Sequence, residues 1–395
     1  MTNTLSISRS IKNVISEQWN ECARPKDHDV KQIINPFIGY EFLSALEDSG
    51  SATQASGWAG AHLLLENDQN ELLAACPAYL KSNSMGEYVF DHGWADAYSR
   101  AGGEYYPKLQ ISVPFTPATA PKLLTKDTAD AMELKRTLIS AIPALCQKLG
   151  ASSAHATFLT ELDRQLFLEA GFLERNDKQY HWFNENYATF DDFLAALSSR
   201  KRKLIRRERK DALANDIVIE RLTGADLKPE HMEAFYTFYM DTGARKWGSP
   251  YLTRSFFFMI MESMPDQILL IMAKRAGKYI AGAINFIDGN VLYGRNWGCI
   301  ENHPFLHFEV CYYQAIDFAI QNSLQRVEAG AQGEHKLARG YRPVTTYSAH
   351  YIADPGFRQA VANYLEEERN YISELQETLS EHMPFRRGER SDHEE

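Results

Sequence analysis

Strand-like and helix-like segments follow one another along this chain in an order that occurs twice. In the first half the segments are strands at 62–66, 72–80, 88–91 and 105–115, a helix at 128–149, a strand at 152–158, a helix at 161–170 and a strand at 179–185. In the second half, after the helix at 191–214, they are strands at 217–222, 267–274, 278–287 and 291–299, a helix at 306–322, and strands at 326–331 and 345–352. Because this is not the strand–helix alternation of a doubly wound sheet, we expect two mixed sheets, each flanked by helices.

The chain has 395 residues and is longer than a domain with a single hydrophobic core usually is. We therefore predict an α/β (α+β) protein with one domain at 1–187, a second at 188–383, and a charged, disordered tail without an apolar anchor at 384–395. Near-helical spacing of apolar residues at 7–19 predicts an opening helix, and a Glu-rich stretch from about 356 to 380 predicts a closing one.

Secretion, membrane insertion and metal binding are not indicated. No apolar run approaches 18 residues, and no h-region follows a basic start, so we expect a cytoplasmic protein without a transmembrane segment. The five scattered cysteines contain no C-x-x-C pair, which argues against a disulfide framework or a zinc site. Asp91 and His92 make a weak metal candidate, because adjacent residues of a strand point to opposite faces.

The repeated order resembles that of a GNAT acyltransferase domain, and several sequence strings resemble the FemAB-like family of bacterial predicted N-acyltransferases. The resemblance covers roughly residues 35–370. The strings lie at 35–37, 42–47, 57–58, 77–81, 86–91, 105–109, 113–117, 306–309 and 328–340.

This resemblance implies a tandem GNAT-like fold and transfer of an acyl or aminoacyl group to an amine. Kinship with the Fem enzymes, which add amino acids from aminoacyl-tRNA to peptidoglycan precursors, makes acyl-CoA or aminoacyl-tRNA the expected donor and a small-molecule or peptide amine the acceptor, with no permanently bound cofactor. The alternative is a GNAT pair without catalysis that binds a cell-wall peptide or a polyanion.

The loop at 116–122 departs from the family pattern. A GNAT fold would use backbone amides here, at a helix N-terminus, to cradle the pyrophosphate of coenzyme A. In this chain Ala120 occupies a position where a glycine is usual, and two prolines nearby have no N–H to donate. The loop therefore weakens the expectation of a coenzyme A cradle at this place.

The segment 328–341 carries the densest set of titratable residues. Strand alternation would place Glu328 and Gln332 on one face, and Gly330 and Gly333 permit close approach of a ligand or an unusual backbone angle. His335 follows directly, and it resembles in position part of a segment that the Fem enzymes share. The alternative is a surface ion-pair network that closes a turn.

Amine acylation needs a base and groups that hold charge. We assign Glu309, His335 and Glu328 as catalytic candidates. As substrate-binding candidates we take Gln332, Lys336, Arg339, His307, Tyr105, Tyr106 and Lys108. A glutamate in the first turn of a helix, such as Glu309, also has a sufficient structural reason in the helix dipole, and core packing is the alternative for the tyrosines.

The run at 200–210 holds eight basic residues and one acid, although the whole chain has a net charge of −10. Such local positive charge suits a polyanion such as tRNA, and we assign Arg202, Arg206 and Arg209 to its binding. The alternative is a solvated helix face that pairs with acidic residues of the same chain.

Overall fold

The structure is a computed structural model, and it describes residues 3–24, 34–245, 250–331, 333–381 and 383–385. Within these ranges the strands are β1 (Thr4–Ser8), β2 (Trp58–Gly60), β3 (His62–Glu66), β4 (Leu72–Cys76), β5 (Ala78–Lys81), β6 (Lys108–Ile111), β7 (Leu124–Thr125), β8 (Ser153–Thr157), β9 (Leu173–Phe183), β10 (Val218–Leu222), β11 (Ile268–Arg275), β12 (Lys278–Ile287), β13 (Val291–Cys299), β14 (Arg326–Glu328) and β15 (Arg342–Ile352).

The helices in the same ranges are α1 (Ser16–Ala23), α2 (Tyr40–Asp48), α3 (His92–Arg100), α4 (Ala131–Ser140), α5 (Ile142–Leu149), α6 (Glu161–Glu169), α7 (Phe190–Ala196), α8 (Ser199–Ala212), α9 (Pro229–Arg245), α10 (Arg254–Ser263), α11 (Leu306–Phe308), α12 (Gln314–Gln321) and α13 (Pro355–Glu381). A π-helical turn, Glu309–Tyr313, joins α11 to α12. None of the helices in the described ranges has a stretch long and apolar enough to cross a membrane.

The first of two compact units comprises Met1–Asp177, Tyr251–Met264 and Thr345–Ser373. Its larger sheet has the strand order β2-β5-β6-β8-β15, in which only β6 and β8 are parallel. A smaller antiparallel sheet has the order β1-β3-β4-β7. The apolar residues of β3, β4, β6 and β8 pack against α4, α5 and α6, which gives this unit a hydrophobic core of its own.

The second unit comprises Lys178–Pro250, Pro265–Val344 and Glu374–Glu395. Its sheet has the order β10-β11-β12-β13-β14-β9, and only β13 and β14 are parallel. A β-bulge between β12 and β13 shifts the register at Asn285, so that β13 carries one extra residue. Leu269, Ile271 and Ile316 belong to the buried core that this sheet forms with α7, α8 and α12.

Both units contain the same connection, a pair of neighbouring parallel strands joined by helices. In the first unit α4 and α5 connect β6 to β8, and in the second α11 and α12 connect β13 to β14. Parallel neighbours require such a crossover, whereas antiparallel strands need only a hairpin. The mixed sheets with flanking helices confirm the α/β fold class. From this shared order we predict that the helix near 130–149 superposes on that near 306–322.

Three elements of the first half differ from the sequence expectation. The opening segment forms β1, paired with β3, and the α-helix begins only at Ser16 after a 3-10 turn at Ile11–Asn13, so the helix predicted at 7–19 was wrong before residue 16 except at this turn. Pro77 divides the predicted strand 72–80 into β4 and β5, since proline has no N–H for the ladder. Residues 88–91 are irregular and lead into α3, which the sequence analysis missed.

Two elements of the second half are shorter than expected. The predicted helix at 191–214 is interrupted at Leu197, and a capping box between Thr189 and Asp192 starts α7. The strand predicted at 326–331 ends at Glu328, because Gly330 takes a left-handed backbone angle with φ of 73°. The alternation that would place Glu328 and Gln332 on one face therefore does not apply.

Each compact unit gathers segments from more than one part of the chain. The compact units do not coincide with contiguous halves of the chain, because Tyr251–Met264 and Thr345–Ser373 belong to the first unit. The division of the repeat into 1–187 and 188–383 therefore remains a proposal. At the tail, Phe385 packs against the second core and pairs with Leu197, so the expectation of a tail without an apolar anchor was wrong at this residue. Residues 386–395 lie outside the described ranges.

Candidate functional site

A short 3-10 helix, Glu334–Arg339, presents the titratable residues of the second unit. It lies between two glycines with left-handed backbone angles, Gly333 with φ of 96° and Gly340 with φ of 85°. A Cβ atom at Gly333 would lie 2.4 Å from Cε1 of His335, so only glycine leaves room for this imidazole. Gly333 therefore has the unusual backbone angle that the sequence analysis suggested for it, and Gly340 has one as well. Gln332 lies outside the described residues.

His335 is exposed, and its ring lies close to several aromatic side chains. Its Nε2 is 3.0 Å from the hydroxyl oxygen of Tyr312. The ring centroid lies 5.3 Å from that of Phe308 and 6.2 Å from that of His307. Nδ1 of His335 makes no hydrogen bond to any residue in the described ranges.

The surroundings keep this imidazole neutral. Partial burial lowers the pKa of His335 below its ordinary value of 6.5, and the positive charges of Arg339 and Lys336 lower it further. Burial raises the pKa of Tyr312, whose phenol therefore keeps its proton. When Nε2–H donates to the Tyr312 oxygen, Nδ1 carries the free lone pair. A neutral histidine with a free lone pair is able to accept a proton at neutral pH.

Lys336 and Arg339 belong to the same short helix, and both residues are buried. The ammonium of Lys336 donates to the carbonyl oxygens of Ala329 and Gly330, the latter at 3.2 Å. Burial lowers the pKa of Lys336 to about 8. The guanidinium of Arg339 lies over the ring of Phe308 at 3.5 Å from its centroid. Both cations are thus used by the protein itself and position the helix that carries His335.

Arg339 also forms a buried ion pair with Glu208 of α8. Its Nη2 donates to both carboxylate oxygens of Glu208, at 2.8 and 2.9 Å, and its Nη1 donates to the carbonyl oxygen of His335 at 2.7 Å. The hydroxyl of Tyr313 donates to the same carboxylate. These bonds link the basic helix, the π-helical turn and the His335 segment. Sequence analysis missed Glu208, the single acid within the basic run.

The other two catalytic candidates are buried and paired. Glu309 accepts two bonds from the guanidinium of Arg209, at 3.1 and 3.0 Å, and one from Gln314 at 2.8 Å. Glu328 accepts a bond from Arg326 at 2.9 Å, and its second oxygen lies 3.8 Å from Nε2 of a buried histidine in β9. Burial raises the pKa of Glu328. These contacts favour structural roles for both glutamates.

The basic helix α8 is largely exposed. Arg206 pairs with Asp191 at 2.8 Å, with more than half of both side chains exposed, and Arg202 makes only a long bond of 3.4 Å to Ala195. Arg209 differs, because it holds the buried Glu309. The exposed basic residues of this helix are Arg200, Lys203, Arg206, Arg207 and Lys210. Arg209, which the sequence analysis assigned to polyanion binding, is therefore engaged in an ion pair within the protein.

The first unit contains a second cluster, built around Lys108. Its ammonium donates to Glu87 at 2.7 Å and to Asp91 at 2.5 Å, and the hydroxyl of Tyr105 donates to Asp91 at 2.6 Å. The hydroxyl of Tyr106 lies 2.7 Å from that of Ser84, which also accepts from Lys108. The structure therefore brings together the three candidates Tyr105, Tyr106 and Lys108.

Sequence analysis did not identify which residues of this cluster are partners. Lys81 and Glu87 lie inside strings that carried the family resemblance, but no spacing rule marked them as partners. Two buried histidines also contribute, with Nδ1 of His155 at 2.7 Å from Nδ1 of His350. Burial lowers the pKa of His155 to about 3.

Two further expectations concern a metal site and a coenzyme A cradle in the loop at 116–122. The described residues contain no group of three His, Cys, Asp or Glu side chains arranged for a metal ion. In the loop at 116–122, the amide of Ala120 donates to the carbonyl oxygen of Phe158, and the amide of Lys122 donates to the carboxylate of Asp163 at 2.6 Å. These amides are used within the protein and do not point at a ligand.

Comparison with known proteins identifies relatives. A sequence model of the FemAB-like family, described as peptidoglycan biosynthesis/recognition, matches residues 10–387. No curated protein sequence matches the chain.

Solved structures of similar fold include one described as FemX, which is 11% identical, has a TM-score of 0.53, and aligns over 92% of this chain and 100% of its own. The C-terminal domain (DUF2156) of a protein described as a lysylphosphatidylglycerol synthetase from Agrobacterium fabrum is 8% identical, with a TM-score of 0.51 over 89% of this chain and 95% of its own. A tandem GNAT protein from the clavulanic acid pathway is 10% identical, with a TM-score of 0.46 over 90% and 99%. At such low identities the likeness to FemX and to the DUF2156 domain shows the fold alone.

Proposed function

The chain belongs to the FemAB-like family, and from that membership we propose that it transfers an acyl or aminoacyl group to an amine. One observation carries the proposal: His335 is exposed, bound to Tyr312 through Nε2, and has a lowered pKa. These are the properties of a general base at neutral pH. Lys336, Arg339 and Glu208 hold the short helix that carries this residue in place.

The chemistry assigned to His335 is a proton transfer. The acceptor nitrogen attacks the carbonyl carbon of the donor, and the C–N bond forms as the C–S bond of a thioester or the C–O bond of an aminoacyl ester breaks. The nitrogen becomes strongly acidic as the bond forms, and Nδ1 of His335 accepts its proton. The imidazolium then returns this proton to the leaving sulfur or oxygen.

An acylation assay tests this proposal. The purified chain is incubated either with isotopically labelled acyl-CoA thioesters or with tRNA charged with labelled amino acids, together with lysine, amino sugars and cell-wall peptides as amines. We expect mass spectrometry to detect a labelled amide with one donor class. Binding of donor and amine without amide formation would instead support a binding module.

We further propose that the exposed face of α8 binds the phosphates of a polyanionic donor such as tRNA. Replacing Lys203, Arg206 and Arg207 by Gln should leave the melting temperature nearly unchanged, because all three are exposed. Each lost phosphate contact should reduce the slope of log K against log salt by roughly 0.7–0.9, so the slope of the triple variant should be smaller by roughly 2.1–2.7. Titration of bulk tRNA at several NaCl concentrations measures the slope.

A matched control removes three exposed cations elsewhere, Arg100, Lys148 and Lys278. This control lowers the net charge by the same amount, so it separates a local binding face from general electrostatic attraction. Equal slopes in the two triple variants would leave α8 as an ordinary solvated helix.

A further inference from the structure

Two buried lysines face each other in the first unit. Lys81 ends β5 and Lys108 begins β6, and the two are partners in the antiparallel register. Both side chains are fully buried. Like charges directly opposite each other destabilise a sheet, so this pair requires negative charge close by.

The compensating charges come from two different places. Asp91 immediately precedes α3 and is fixed by bonds from Lys108 and Tyr105. Glu87 belongs to the irregular segment 82–90, and its oxygens lie 2.7 Å from the Lys108 ammonium and 3.7 Å from that of Lys81. Without Glu87, the two lysines and Asp91 would carry one uncompensated positive charge.

The segment 82–90 is held over the lysines mainly by polar contacts. The carbonyl oxygen of Met85 accepts from Lys81 at 2.9 Å, and the hydroxyl of Ser84 accepts from Lys108 at 2.9 Å. The large apolar side chains of Met85 and Phe90 point outward, with 52% and 60% of their surface exposed. These polar contacts can be exchanged for contacts with a ligand, whereas Val89, at 8% exposure, is buried and anchors the end of the segment.

Glu87 does not use its full hydrogen-bonding capacity in its contacts with the two lysines. The residue is only 4% exposed, yet its Oε1 is buried and makes no hydrogen bond to the residues in the described ranges. Burial raises the pKa of Glu87 to about 7 and lowers the pKa of Lys81 to about 7, although each group opposes the shift of the other. Both shifts favour the uncharged forms, so the buried contact between these two groups is costly to maintain.

We propose that Lys81 and Lys108 form a binding site for a ligand carboxylate, and that Glu87 occupies this site as an internal carboxylate until the ligand displaces it. The single uncompensated charge fits a group with one negative charge, and the occupant that fits the site is itself a carboxylate. A phosphate dianion would leave an excess of negative charge. Displacement of Glu87 releases the segment 82–90 from the two lysines.

The test uses N-acetylglycine as a carboxylate probe and inorganic phosphate for comparison. In the Glu87→Gln variant the internal competitor has no charge, so the Kd for N-acetylglycine should fall by about tenfold or more. The Glu87→Gln/Lys81→Gln double variant removes one charge of each sign, and it should lose the added binding while Lys108 and Asp91 stay paired. Equal affinity in the wild-type protein and the Glu87→Gln variant, or unchanged binding in the double variant, would overturn the proposal.

Hydrogen exchange of the wild-type protein keeps the test decisive if a variant does not fold. Saturation with N-acetylglycine should increase amide exchange in 82–90, because the segment is released, and leave exchange in β5 and β6 slow. Unchanged exchange would identify the cluster as a fixed structural ion network. Tighter binding of phosphate than of N-acetylglycine would contradict the assignment to a carboxylate.

Discussion

Replacing His335 by glutamine should lower kcat/KM for acyl transfer by about 10²–10⁴-fold, which is the usual contribution of a positioned general base. Glutamine keeps a hydrogen-bonding group near Tyr312, but it cannot accept a proton. Because His335 is exposed, the free energy of unfolding should change by only about 0.5 kcal/mol. Steady-state rates with the donor found in the acylation assay, together with urea unfolding, measure both quantities.

Two further variants sharpen this test. His92→Gln changes another exposed histidine, in the first unit, and should leave the rate unaltered. Tyr312→Phe removes the hydroxyl that is hydrogen-bonded to His335 and orients its ring, so kcat should fall while KM stays nearly constant. A loss of less than tenfold in His335→Gln, or an equal loss in His92→Gln, would exclude His335 as the base.

Replacing Arg339 by methionine should destabilise the protein by about 3–5 kcal/mol, because it leaves Glu208 as a buried charge without its guanidinium partner. Arg339 and Glu208 are each 5% exposed or less, so water cannot take the place of the lost partner. Urea unfolding of the wild-type and variant chains gives the difference in free energy, provided that the unfolding slope m is the same.

A double variant shows whether the unpaired charge is the cause. Glu208→Gln added to Arg339→Met removes the buried charge and keeps a side chain near Tyr313, so part of the lost stability should return. If the double variant is at least as unstable as Arg339→Met alone, the cost arises from lost packing over Phe308 and not from the charge.

The sheet of the second unit shows how far local pattern predicts structure. The strands expected at 278–287 and 291–299 have the same bounds in β12 and β13, since their apolar residues are bounded by turn residues on both sides. The strand expected at 326–331 stopped early because Gly330 adopts a backbone angle that alternation alone does not reveal. Local pattern thus predicted the central strands but not where β14 ends.

The candidate site was partly accessible from sequence. His335 was singled out because two glycines and several titratable residues lie close together in the chain. Its support was not accessible, since the ion pair of Arg339 and Glu208 joins residues 131 positions apart. The same holds for Glu309, whose partner Arg209 lies 100 positions away. Such pairs depend on tertiary packing, which no periodicity of the chain encodes.

The lysine cluster of the first unit illustrates a different difficulty. Lys81 and Lys108 both lie in strands, where a sequence pattern predicts that lysine points to solvent. Both are buried, because Glu87 and Asp91 supply their counter-charges. Only Lys108 was singled out, through the tyrosines beside it, whereas Lys81 was noticed solely as part of a family string.

The proposed role of His335 is tested most directly by the pH dependence of the ratio of kcat/KM between the wild-type chain and His335→Gln. The ratio cancels the ionisation of the acceptor amine and isolates His335. Since the pKa of His335 is lowered, the ratio should be constant near neutral pH and should fall, by about tenfold per pH unit, only at acid pH below that lowered pKa, where the imidazole becomes protonated. A ratio that does not change across this range would contradict the assignment of His335 as the general base.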